Sequence, residues 1–127
     1  MAWSFTADKP VYLQIAKRIT GLVLSGEYKS GEQIPSVRQL ALEAAVNPNT
    51  VQHAFSYLED EGIIISQGTL GRFVTEDLTV IENCRKKMAE QMINEFVKNI
   101  EPLSFGKETL LKMIGEKIEW TFLSAVI

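Results

Sequence analysis

The chain has 127 residues, 46% of them hydrophobic and 23% charged, with 13 Lys and Arg against 16 Asp and Glu for a formal charge of −3. That length and apolar content suit one compact domain plus an appendage, and the charge is not that of a basic protein. With a single Cys and a single His, an internal disulfide and a zinc cluster are both excluded; no leader-like start or run of about 20 apolar residues appears, so a cytoplasmic chain without metal, cofactor or membrane contact is expected.

Tyr12, Ile15, Ile19, Leu22 and Val23 recur at helical spacing and predict a first helix that covers a core. Ahead of it, Trp3 and Phe5 fit either an extension of a sheet or packing at an interface. Gly26 and Gly31 bracket the connection that runs through Tyr28 to Pro35. Ser36 is placed to cap a second helix, Gln39 to close a capping box with it, and Val37, Leu40, Ala41 and Ala44 to form its apolar face. Val46 fills the turn that follows. Asn47 suits the N-cap of a third helix, and Pro48 suits the first position, where its missing N–H is no loss. Val51, Ala54, Phe55 and Leu58 repeat the inward spacing, while Asn49, Gln52, His53 and Ser56 face outward.

Two short helices joined by a tight turn are the helix-turn-helix layout. The third helix carries amides and hydroxyls early and carboxylates only at its far end, at Glu59, Asp60 and Glu61. Such a helix meets DNA by its N-terminus, the end that combines free N–H groups with the positive end of the dipole. Gly62 ends it. Ile63 to Ile65 and Arg72 to Thr75 then flank the glycine-bounded turn Gln67-Gly68-Thr69-Leu70-Gly71, which predicts a β-hairpin. A hairpin directly after a recognition helix is a wing. Its tip, with Gly68 between Gln67 and Thr69 and with Arg72 nearby, suits a phosphate or a minor-groove edge.

Net charge argues weakly against nucleic acid, because up to Val74 there are six Lys and Arg against seven Asp and Glu, a balance of −1. Local potential matters more than the total within a Debye length of about 8 Å, and Lys17, Arg18, Arg38 and Arg72 would supply a positive surface.

After Thr75 the pattern changes to a long amphipathic helix from Thr79 to Ile100, with Ile81, Cys84, Met88, Met92 and Phe96 on one face. Pro102 stops it. Ser104-Phe105-Gly106 opens a second segment in which Leu110, Leu111, Met113, Ile114, Ile118, Trp120, Phe122 and Leu123 spread over more than one side. Two helices cannot bury so wide a surface alone, and homodimerisation through them is the economical solution. Cys84 reads as a buried, inert thiol, and Met88, Met92 and Met113 as adaptable core. So short a tail cannot enclose a drug-sized pocket of about 300 Å³ within one subunit, so any small-molecule effector, whose identity is unknown, would bind between subunits or against the winged domain. No nucleophile, metal cluster or phosphate-binding fingerprint supports an enzyme.

From Pro10 to Val74, the segments PVYLQIAKRI, SGEYKSGEQIPSVRQLA, VNPNTVQHAFSYLEDEGII and GRFV resemble the N-terminal domain of GntR-type bacterial transcription regulators; NPNTV with a short tail is similar to the YtrA subfamily. The resemblance implies a mainly α fold with a small β-hairpin, in which residues 1–76 form a winged helix-turn-helix DNA-binding domain and residues 77–127 a helical dimerisation region. It carries the family's motif arginine onto Arg38, beside Ser36, and its base and backbone contacts onto Asn47, Asn49, Thr50 and Gln52, with wing contacts at Gln67, Gly68 and Thr69. It departs in two places. His53 stands where the family usually has a basic residue, so charge there follows pH around the ordinary imidazole value of about 6.5. The wing runs Gly68-x-x-Gly71-x-Phe73, one residue longer in the turn than is usual. The implied activity is that of a homodimeric, operator-specific regulator of double-stranded DNA, most simply a repressor on a palindromic site, with its own operon and ABC transporter genes among its targets. The other class open to the sequence is a winged-helix module that serves as a protein-interaction or scaffold element, which the acidic balance permits.

Overall fold

The computed structural model describes residues 3–126, with side chains described as far as residue 121. The described chain forms two compact units, one reaching Lys87 and one beginning at Met88.

The first unit contains α1 (Val11–Leu24), α2 (Val37–Ala44), α3 (Pro48–Asp60), a hairpin of β1 (Ile64–Ser66) and β2 (Arg72–Val74), and the start of α4 (Leu78–Ile100). Local chemistry sets the ends of the helices. The Ser36 hydroxyl accepts from the Gln39 N–H at 3.2 Å while the Gln39 carbonyl oxygen accepts from the Ser36 N–H at 2.9 Å, which is the expected reciprocal box. Ala45 ends α2 in the left-handed region at φ 58°, and its N–H reaches back to the carbonyls of Ala41 and Leu42. The Asn47 side chain then accepts from the Asn49 N–H at 2.8 Å and starts α3.

Ile15, Ile19, Leu40, Val51, Phe55, Leu58, Ile64 and Val74 are the largest fully buried side chains, so all three helices and both strands contribute to one core. The predicted inward sets of α2 and α3 are the observed ones, with Val37 half-buried; on α1, Ile15, Ile19 and Val23 are buried as predicted, Ala16 and Thr20 join them, and Tyr12 and Leu22 are only half-buried. Trp3 belongs to this core as well, with the Arg18 guanidinium 4.2 Å above its ring, and it forms no strand. The hairpin is antiparallel, pairing Ile64 with Val74, Ile65 with Phe73 and Ser66 with Arg72. A further extended segment adds to it: the N–H groups of Gly31 and Ile34 donate to the carbonyls of Val74 and Arg72, and the Val74 N–H donates to Glu32. The α1–α2 connection thus serves as a third edge of the wing's base. Ile81 and Cys84 of α4 pack against the same core, which is why the first unit runs past the hairpin to Lys87.

The second unit consists of the rest of α4, a 3₁₀ turn at Glu101–Leu103 and α5 (Lys107–Val126). Pro102 sits in that turn and Ser104 leaves it at φ 58°, so the helix stops where expected. Within α4 no residue is buried. Met92, 56% exposed, and Met113, 46% exposed, are not the core of a single chain; Ile93, Phe96, Leu111, Ile118 and Trp120 are exposed beside them. Phe122 and Leu123 of the predicted apolar set lie outside the described side chains.

Candidate nucleic-acid interface

The N-terminal half of α3 is set by its cap. With the Asn47 carbonyl side committed to the helix start, Asn47 keeps only its amide N–H₂ for an outside partner, and Asn49, Gln52 and His53 are exposed on the next turn. Thr50 is half-buried. The five form a hydrogen-bonding surface without a carboxylate or a Lys or Arg at the positive end of the helix dipole, while Val51, Ala54 and Phe55 anchor the opposite side in the core.

His53 is not a free ring. Its imidazole lies 3.5 Å from the Tyr12 phenol ring, centroid to centroid, with the planes 10° apart. Tyr12 in turn meets Tyr57 edge-on at 6.4 Å. Tyr12 was expected to be a core residue on its stripe; it does pack against the core, but it also supports the recognition face, which α1 reaches only in three dimensions. A hollow of about 370 Å³ opens here, lined by Val11, Tyr12, Asn49, Thr50 and His53. Burial pushes the Tyr57 phenol up, and Glu61 adds to the effect.

On α2, Ser36 is taken up by its capping box and Arg38 is exposed without an ion pair among the described residues. At the wing tip Gln67, Gly68 and Thr69 are all exposed; the extra residue of the turn is accommodated by a 3₁₀ turn, Gly68–Leu70, with Gly68 at φ 58° facing open space. Gly71 follows at φ 109°, and the position its Cβ would take is 2.7 Å from the Gln33 amide nitrogen. That amide donates to the Leu70 carbonyl at 2.8 Å. Gln33 therefore fastens the tip of the wing to the α1–α2 connection, a role with no periodicity or cap pattern to signal it.

Arg72 was expected near the tip as an available cation. Instead its Nε donates to Glu59 Oε1 at 2.6 Å, its guanidinium carbon lies 5.0 Å from the Phe55 ring centre, and its side chain is 23% exposed. The cation is spent on joining the wing to the C-terminal half of α3. Lys87 lies 3.5 Å from Glu61 in the same way, so two carboxylates of the acidic end have internal partners. Cys84 is half-buried, and burial pushes its thiol up, with Glu61 reinforcing the shift and Lys87 opposing it. Among the described residues there is no group of three or more His, Cys, Asp or Glu that could hold a metal ion, and no helix is long and apolar enough to cross a membrane.

Residues 11–74, from the start of α1 to the end of the wing, match the family described as bacterial regulatory proteins, gntR family. The chain belongs to the gntR family. It is 34% identical over 110 residues to the uncharacterized HTH-type transcriptional regulator YhcF of Bacillus subtilis (strain 168), a match that covers 87% of this chain and 91% of that protein. It is 39% identical over 88 residues to the HTH-type transcriptional repressor YtrA of the same strain, covering 68% of each. A GntR family transcriptional regulator from Listeria monocytogenes has the same fold, with a TM-score of 0.80 at 33% identity over 88% of this chain and 98% of that one. This gntR-family chain is thus a transcription regulator of the YtrA-like kind and not an enzyme.

Proposed function

We propose that this gntR-family regulator binds a palindromic DNA operator as a homodimer and represses transcription from the promoter it occupies. The observation that carries the reading is the exposed, uncharged hydrogen-bonding surface of Asn47, Asn49 and Gln52 at the capped N-terminus of α3, a helix followed in the chain by a glycine-tipped wing. Asn49 and Gln52 read base edges; Arg38 and the wing residues Gln67, Gly68 and Thr69 hold the backbone. Ser36 and Arg72 contribute by position, the first through the cap of α2 and the second through Glu59.

Residues 1–76 supply recognition and residues 77–127 supply the dimer. Support for the dimer comes from the apolar side chains that one chain leaves in water, among them Phe96, Ile118 and Trp120, the last 73% exposed. A second copy covers them and doubles the phosphate contacts, which a winged unit with a net charge near zero needs. Repression extends to it from the relative named as the repressor YtrA; control of its own operon and of ABC transporter genes is what the resemblance of its sequence to the YtrA subfamily implies.

Selection of bound duplexes from a random pool tests the reading. An enriched motif with inverted symmetry and half-sites about one helical turn apart is expected. A pool that stays random after repeated rounds refutes it and points to a protein-interaction module.

A further inference from the structure

We infer that the Tyr12–His53 stack and its neighbours Asn49 and Thr50 form a proton-dependent subsite for one phosphodiester of the DNA backbone, with Tyr12 as the positioning residue. The inference rests on the DNA-binding reading above and specifies one contact within it. The hollow beside the stack is lined by Val11, Tyr12, Asn49, Thr50 and His53. Its polar side chains are hydroxyls, an amide and an imidazole, all able to donate, and no carboxylate lines it. In a unit where Asp and Glu outnumber Lys and Arg, that is the composition an anion requires.

The stack explains how an exposed imidazole holds one orientation. With its plane 10° from that of Tyr12 and the centroids 3.5 Å apart, one ring face is covered and the nitrogens remain at the rim, where they donate in the plane of the ring. An imidazolium over a phenol ring also gains cation–π attraction, so the charged state is compatible with the same geometry. Imidazole changes charge between about pH 5 and 8. Charged, it offers donors at both nitrogens and a full counter-charge to a phosphate; neutral, it offers one donor and none of the charge.

The other ionisable groups around the stack come from α3 and α4. Tyr57 approaches Tyr12 from the next turn of α3, and its phenol is shifted upward. Beyond Tyr57 stand Glu61 and Lys87, of opposite sign and 3.5 Å apart. His53 is the only histidine of the chain, so a binding change between about pH 6 and pH 8 that vanishes with it has a single source.

The test uses the full chain and a duplex it selects, with affinity measured against salt at about pH 6 and pH 8. One more neutralised phosphate per subunit steepens the salt slope by about 0.9, so raising salt from about 50 to 200 mM should weaken each half-site contact about 3-fold more at pH 6 than at pH 8. His53→Gln should abolish that difference, and His53→Lys should keep the steeper slope at both pH values. Tyr12→Phe, which keeps the ring under His53 and removes only the hydroxyl, should keep the pH difference, whereas Tyr12→Leu should lose several-fold in affinity at pH 6 and most of the pH difference. NMR of the single imidazole gives a readout without DNA: its ring protons should be shifted upfield in the parent and Tyr12→Phe chains and move to free-histidine positions in Tyr12→Leu. A selected duplex bound with the same pH and salt dependence by the parent and His53→Gln chains overturns the subsite alone. A parent chain that selects no duplex overturns both the subsite and the reading beneath it.

Discussion

Replacing Gly71 with Ala isolates the fastening of the wing. The residue sits at φ 109° and ψ −156°, a backbone region that is essentially reserved for glycine and costs other residues about 1–3 kcal/mol. A Cβ there would also lie 2.7 Å from the Gln33 amide nitrogen, which must move and give up its bond to the Leu70 carbonyl, a further loss of about 0.5–1.5 kcal/mol. Together these lower the unfolding free energy by about 2–4 kcal/mol, readable from the urea midpoint by circular dichroism. Gly68→Ala is the internal control, because Gly68 has φ 58° with open space around it and should cost only about 1 kcal/mol. Gln33→Ala removes the obstruction, so adding Gly71→Ala on that background should cost the backbone part alone. If Gly71→Ala proved no worse than Gly68→Ala, the wing would not be held by Gln33.

Arg72→Met keeps the stem over Phe55 but removes the bond to Glu59, and should cost about 1 kcal/mol because both side chains are partly solvated. The double variant with Glu59→Gln should be little worse than either single one; full additivity would deny the pairing. Phe96→Asp together with Trp120→Asp should yield monomers by sedimentation with the winged unit still folded, and weaken operator binding on the order of 100-fold through lost bivalency. Persistence of the dimer would place the subunit contact elsewhere. Cys84 is held above its ordinary 9.0 by burial, so the folded state favours the protonated thiol. The stability this contributes is complete below about pH 9 and is lost as pH rises through the folded value; alkylation at about pH 8 should be slower than for an unfolded peptide, and equal rates would contradict the burial.

How far the sequence anticipates the structure depends on the distance over which each feature is decided. The Ser36–Gln39 box, the Asn47 cap and the inward faces of α2 and α3 are set within a few residues and were legible. The wing was legible as a hairpin, but its third edge was not, since the segment from Gly31 to Ile34 has no strand pattern and pairs only because the fold returns it to β2. Arg72 read as an available cation because its partner Glu59 lies 13 residues away on another element, beyond the reach of helical or strand periodicity. Tyr12 was correctly placed on the α1 stripe, yet its second role depends on where α3 crosses α1. The tail shows the opposite situation: its apolar faces were legible as more than two helices can bury, and Phe96, Ile118 and Trp120 are indeed left exposed.

These placements also change the meaning of the chain's negative charge. Glu59 is bound by Arg72 and Glu61 lies against Lys87, so the acidic end of α3 is partly neutralised from within, and Arg18 is held over Trp3. Of the basic surface suggested by the sequence, Lys17, Arg18 and Arg38 remain exposed without ion pairs among the described residues, Arg18 with its guanidinium engaged over the Trp3 ring. On the proposed DNA-binding reading, phosphate contact is sparse and specificity comes chiefly from the amides of α3 and from the fixed wing. With Lys17, Arg38 and their symmetry mates as the cations at about pH 8, the slope of log K against log salt should be about −4, since each neutralised phosphate contributes about −0.9. Arg38→Ala should flatten it by about 2 for the dimer while leaving the preferred sequence unchanged, whereas Asn49→Ala should leave the slope and relax the sequence by about 1–3 kcal/mol at the base pair it reads. A parent slope steeper than about −7 would mean that lysines and arginines elsewhere carry the binding and that the uncharged tip of α3 is not its centre.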